Sequence, residues 1–173
     1  MRHEDVKSEV RTENSVLTAS YLSGLSRQPP LVRRPQIIVL AGPSGSGKTT
    51  ACIQVLERAR QRGLAVGGLI TLSRWRSGQK VGLDVQDVRT GSVFPLAERA
   101  CCTDGPQIGG WNFHRSGICW AQAAILSISQ CALLLIDEIG PLELLEGRGW
   151  ASALDVLRSD VYGLALVTLR PGL

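Results

Sequence analysis

No apolar run in this sequence reaches the roughly 18 residues that a membrane-spanning helix needs. The N-terminus also lacks the apolar core of an export signal, so the reading is a chain kept in the cytoplasm. Histidine is nearly absent. His3 and His114 are the two, with no second His or Cys at ligand spacing, and both are read as surface residues. The five cysteines, Cys52, Cys101, Cys102, Cys119 and Cys131, contain no C-x-x-C pair of the kind that zinc sites and redox motifs use. Cys101 and Cys102 are adjacent, which is awkward for a shared disulfide, so buried or incidental thiols in a reducing compartment are expected. Lysine and arginine do not cluster with interleaved aromatics. A formal charge of +4 suits an anionic small molecule and gives no argument for nucleic acid. Internal repeats and low-complexity tracts are also missing.

What remains is a globular composition, 44% hydrophobic and 20% charged, in a length that suits one ordinary domain. Residues 1–35 differ from the rest. They are polar and mixed in charge, and Gln28-Pro29-Pro30 and Arg33-Arg34-Pro35 have the residues of an extended linker. This stretch is expected to be a flexible tail before a domain at 36–173.

Within the domain, Ile37–Ala41 is a short β-branched run ending at Gly42, the pattern of a buried parallel strand. Apolar residues at Cys52, Val55, Leu56 and Ala59 mark one face of a helix over 49–62, stopped by Gly63. A strand over 64–72 follows. Val81, Leu83 and Val85 then alternate with polar residues, Arg89-Thr90-Gly91 turns, and Val93–Leu96 returns, which predicts an inserted antiparallel hairpin. Ile108–Phe113 extends it. Ser116 is the expected N-cap of a helix reaching Ser129, Cys131–Ile136 the next buried strand, Trp150, Ala153, Leu154 and Leu157 a helical stripe, and Gly163–Leu169 a last strand. Alternating strands and helices predict an α/β fold: a mostly parallel sheet with helices on both faces.

Two segments carry chemistry. Gly42-Pro43-Ser44-Gly45-Ser46-Gly47-Lys48-Thr49 satisfies G-x-x-x-x-G-K-[ST] at every fixed position. Its glycines let backbone amides turn inward and, with the first turn of the next helix including Thr50, cradle phosphate. Lys48 is expected to reach the β- and γ-phosphates and the Thr49 hydroxyl to ligate Mg²⁺. A chance glycine-rich loop matches the same expression, but a buried strand before it and an amphipathic helix after it are the context that gives it meaning. The second segment is Leu133-Leu134-Leu135-Ile136-Asp137-Glu138, an apolar strand delivering two carboxylates at its C-terminal end, where open α/β sheets bind ligands. Asp137 would hold the metal shell opposite Thr49, and Glu138 would orient and deprotonate water. Alone, such a strand end is as well explained by a solvated acidic turn; the phosphate loop tips the reading. Arg170, at the end of the last strand, is a candidate γ-phosphate contact. Arg74, Arg76 and Lys80 are read either as a solvated face or as charge brought to the triphosphate. Trp75, Trp111, Trp120 and Trp150 are read as core or hairpin packing.

Asp137-Glu138-Ile139-Gly140-Pro141-Leu142-Glu143-Leu144 resembles the D-E-I-G-x-M-E-L signature of the small P-loop nucleoside-triphosphatases, among them the thermophilic nucleoside-triphosphatases and the vertebrate cancer-related one. Thr71, Gly78, Gly82 and Asp84, then Pro95-Leu96-Ala97 and Trp111-Asn112-Phe113, resemble that family's hairpin and the short strand after it. The resemblance spans 36–173. It implies a RecA-like core and Mg²⁺-dependent hydrolysis of ATP, GTP and other triphosphates to diphosphates, with nucleotide contacts at 42–49 and around 134–141. Leu72 and Ser73 stand where acidic residues often follow the hairpin threonine, and Leu142 replaces a Met. Glu143 is open between a site role and a favourable helix-start charge. Family members continue past the position of Pro171 with a helix and a strand, so the last strand is expected to leave Leu164, Leu166 and Val167 exposed, and the oligomeric state is left open. Two other functions stay open: a small-molecule or nucleotide kinase, and a slow nucleotide-dependent switch. With no N-K-x-D or T-K-x-D element to read guanine, base preference is expected to be loose.

Overall fold

The computed structural model describes residues 35–99, 103–140 and 151–169. Eight strands form one sheet: β1 Gln36–Ala41, β2 Val66–Arg76, β3 Gln79–Asp87, β4 Val93–Glu98, β5 Gln107–Ile108, β6 Trp111–Phe113, β7 Cys131–Ile139 and β8 Tyr162–Leu169. Among the described residues three helices join them: α1 Lys48–Gln61, α2 Arg115–Leu126 and α3 Ser152–Leu157. The strand order is β1-β8-β7-β2-β3-β4-β6-β5. Pairing is parallel from β1 to β2 and antiparallel from β2 to β5. The sheet is therefore mixed, and the expected mostly parallel sheet with a hairpin insert is corrected to two halves of four strands that meet at β2.

Strands β7, β8 and the first half of β2 carry near-continuous apolar runs because both their faces are covered, while β1, at the sheet edge, is largely exposed. Cys52, Val55, Leu56 and Ala59 of α1 pack against Ile70, Leu133, Leu135, Leu164 and Leu166 on one face. On the other, Ala121 and Ile125 of α2 and Ala153 of α3 pack against Leu69, Ile136, Ala165 and Val167. The four α1 residues are those that the helical spacing singles out. Strand β2 serves both halves: Val66–Leu69 pair with β7, and Leu69–Arg76 pair with β3. At the changeover Gly68 has φ +111°, and a Cβ there would lie 1.9 Å from the Leu135 carbonyl oxygen, so a side chain fits neither the dihedral nor the space.

Three further expectations are corrected. Helix α2 starts one residue before Ser116, with His114 at the N-cap position and no side-chain cap, and it ends at Leu126. The last strand is interior, held between β1 and β7, so Leu164, Leu166 and Val167 are buried at 4%, 1% and 3% exposure. The exposed apolar residues at that end of the sheet belong to β1, Ile37 and Val39. Trp75 does not pack in the core, being 65% exposed near the β2–β3 turn. Cys52 and Cys131 are buried free thiols, as expected, while Cys119 is exposed. Burial pushes the Cys131 thiol up to about 11, which keeps it protonated and inert. The expectations for the tail at 1–34, Cys101, Cys102, Glu143, Trp150 and Arg170 fall outside the described residues. No helix among the described residues is long and apolar enough to cross a membrane.

Candidate active site

Strand β1 ends at Ala41 and hands the chain to the glycine-rich loop, whose first amide, that of Gly42, donates to the Leu169 carbonyl at the end of β8. The loop closes with Ser46 N–H on the Pro43 carbonyl, and Gly45 and Gly47 take φ of +81° and +91°. Both values lie in the left-handed region that L side chains avoid, which is why glycine is needed at these two steps. Gly47 is the N-cap of α1. It offers no side-chain cap, and no acidic residue occupies the first turn. The first amides of α1 are thus left for an anion, and the positive end of the helix dipole faces the same place. Pro43, Ser44, Gly45, Ser46, Gly47 and Thr50 are exposed, whereas Lys48 and Thr49 are half-buried. Lys48 Nζ donates to the carbonyls of Gly42 (2.6 Å) and Pro43 (2.9 Å), folding the ammonium back over the loop.

Asp137 is almost fully enclosed, at 1% exposure. Its Oδ2 accepts from Thr49 Oγ1 at 2.9 Å and from the Thr71 amide at 3.2 Å, and its Oδ1 accepts from Thr168 Oγ1 at 2.7 Å. Four elements therefore converge on one carboxylate: α1, β2, β7 and β8. Desolvation raises its pKa above the usual carboxylate range; the hydroxyls of Thr168 and Thr49 and the Thr71 amide oppose the rise, and the charge of Glu138 adds to it. Cys52, one turn along α1 from Lys48 and fully buried, lies within the fields of both Asp137 and Lys48.

The loop and the acidic strand end, 88 residues apart in sequence, are thus joined by a hydrogen bond between Thr49 and Asp137. Two neighbours were not singled out by the sequence. The sequence pattern makes Thr168 part of an apolar strand, yet the residue is fully buried, and a polar residue in the run Leu164–Leu169 is the available signal. Thr71 was noted only for its likeness to the hairpin pattern. Its hydroxyl is buried with no hydrogen-bond partner among the described residues. Arg74 is not directed at the phosphate loop. Its guanidinium sits between Asp84 (3.3 Å) and Glu98 (2.7 Å), while Lys80 lies over the Trp111 ring. His114 is half-buried rather than a plain surface residue, with Nε2 enclosed.

A divalent cation suits these donors. One carboxylate and one hydroxyl form an oxygen-only pair, and the enclosed Asp137 charge has hydrogen-bond donors but no cationic side chain bonded to it among the described residues. Those residues also contain no group of three or more His, Cys, Asp or Glu that would form a closed metal cage. Mg²⁺ is typically bound in this way, by one or two protein oxygens with waters and substrate phosphates completing the octahedron.

A strand, a phosphate loop opening a helix, and a second strand ending in a metal-competent carboxylate define a P-loop nucleotide-binding protein. The model of the NTPase family matches residues 37–171; the chain belongs to this family and is an enzyme of that class. The nucleoside-triphosphatase THEP1 of Thermofilum pendens is 33% identical over 134 residues, covering 76% of this chain and 73% of that one. Its counterpart in Methanothermobacter thermautotrophicus is also 33% identical, over 75% of each chain. The match to THEP1 of Methanopyrus kandleri, at 29% identity, spans 61% of that protein's length. Among solved structures, the human cancer-related nucleoside triphosphatase aligns with a TM-score of 0.61 at 23% identity, over 78% of this chain and 76% of that one. THEP1 of Aquifex aeolicus aligns at 0.53 and 19%, over 79% and 77%. These two similarities bear on the fold.

Proposed function

We propose that the chain hydrolyses the terminal phosphoanhydride of nucleoside triphosphates, ATP and GTP among them, to diphosphate and phosphate with Mg²⁺ and little regard for the base. The observation that supports this reading is the 2.9 Å hydrogen bond from Thr49 to Asp137, which joins the glycine-rich loop to the strand on which Glu138 is the next residue. The loop amides of 42–50 and Lys48 bind the phosphates and draw off negative charge as the bond breaks. Thr49 and Asp137 hold Mg²⁺, which when bound supplies charge neutralisation to the phosphate oxygens. Glu138 accepts a proton from water and aims the oxygen at phosphorus. Arg170, the residue after β8 in the sequence, contacts the γ-phosphate. A hydrolase is favoured over a kinase because Arg74, the nearest resemblance to a lid arginine, is already held by two carboxylates.

The test is phosphate release from a panel of ATP, GTP, CTP, UTP and deoxy forms, with Mg²⁺ and with EDTA. The expected result is release from several triphosphates within about tenfold of one another, roughly the discrimination of a single weak contact, and none in EDTA. Turnover that appears only with an added acceptor would establish a kinase instead.

A further inference from the structure

The register of β7 against β8 slips at the acidic pair. Ile136 lies opposite Val167 and Ile139 opposite Leu169, so two residues of β7, Asp137 and Glu138, face the single Thr168 of β8. This is a bulge in the strand that carries the candidate chemistry, and bulges re-aim side chains. Glu138 has φ +66°, a conformation that a residue with a Cβ holds only when its surroundings impose it. One atom meets both members of the pair: Thr168 Oγ1 accepts from the Glu138 amide at 2.7 Å and donates to Asp137 Oδ1 at 2.7 Å. A hydroxyl is the smallest group that can accept from one neighbour and donate to another at once. Thr168 is fully buried, so water does not substitute for it from bulk.

We propose that Thr168 is the positioning residue of the active site, fixing the left-handed backbone of Glu138 and the rotamer of Asp137 together, so that the base and the metal-holding carboxylate keep one geometry. The inference rests on the hydrolytic reading above and extends it to a residue outside the phosphate loop and the acidic pair. Thr168 acts through Glu138 and Asp137 rather than on the substrate, so its removal affects the chemical step more than nucleotide binding.

Two variants test this. Thr168→Val keeps the shape of the side chain and removes both hydrogen bonds, whereas Thr168→Ser keeps the hydroxyl and removes a methyl. Hydrogen exchange at the Glu138 amide is measured by NMR on the full chain, alongside kcat, KM and the affinity for a non-hydrolysable triphosphate. In Thr168→Val the Glu138 amide is expected to exchange at least about tenfold faster, through loss of its acceptor. Its kcat should fall about 10- to 100-fold, part of what removal of a general base costs, with KM and triphosphate affinity within about threefold. Thr168→Ser should restore both readouts, and adding Thr168→Val to Glu138→Gln should slow turnover little further, because the two act as a unit. Unchanged exchange at Glu138 in Thr168→Val overturns the proposal, as does a loss in Thr168→Ser equal to that in Thr168→Val, which would mark packing as the cause. If the wild-type chain hydrolyses no triphosphate, the functional reading fails on its own, and the exchange measurement still decides whether Thr168 holds the bulge.

Discussion

The two halves of the sheet are built on different terms. From β1 to β2 the strands run parallel, and Leu133, Leu134, Leu135 and Ile136 of the central strand β7 are at 0–1% exposure. From β3 to β5 the strands run antiparallel, and polar contacts lie on the surface of this half: Arg74 of β2 between Asp84 and Glu98, and Trp111 covered by Lys80 and Arg99. The parallel half has its polar residues where strands end, and there they converge on Asp137. The difference shows that the candidate chemistry lies in the parallel half, while the antiparallel half shares the core through Leu83, Val85, Leu96 and Ala97 and adds polar contacts at its surface.

That division makes graded predictions. Lys48→Ala strikes the site directly. Triphosphate affinity measured by calorimetry should fall about 10- to 100-fold, the range for a charge-assisted hydrogen bond, hydrolysis should disappear, and the melting temperature should change little because the loop is exposed. Leu135→Ala opens a cavity beneath α1 and should cost about 2–5 kcal/mol in urea unfolding. Arg74→Ala, in the antiparallel half, removes two ion pairs whose arginine side chain is 39% exposed. It should cost no more than about 1 kcal/mol and leave kcat unchanged. Trp75→Ala removes a ring that already faces solvent; urea unfolding should move within about 0.5 kcal/mol. A larger loss for Arg74→Ala than for Leu135→Ala would break the comparison.

The same division explains what could be read in advance. The parallel half was legible because burial on both faces of β7 and β8 demands continuous apolar runs, and because Gly42–Thr49 and Asp137-Glu138 mark the strand ends by residue type. Helix α1 was legible from four apolar positions on one face. The sheet's mixed character was not, since β2 is a single 11-residue strand whose far half reads as the start of a hairpin. Nor did local sequence place β8 between β1 and β7, because strand order is decided by crossovers rather than by local pattern. Trp75 was misread because aromatic residues usually pack, and its exposure depends on the turn at Ser77 and Gly78, both with positive φ. Thr168 was missed because its partners lie some 30 residues away in sequence.

The central claim is that Glu138 activates water while Asp137, Thr49 and Lys48 hold the Mg²⁺-nucleotide. Single-turnover hydrolysis of ATP by Glu138→Gln, with ATP affinity measured on the same protein, tests it most directly. Binding is expected within about threefold of wild type, with a rate at least about 100-fold lower, the usual scale for a positioned general base. A variant that binds ATP normally and hydrolyses it at the wild-type rate would show that Glu138 is not the base.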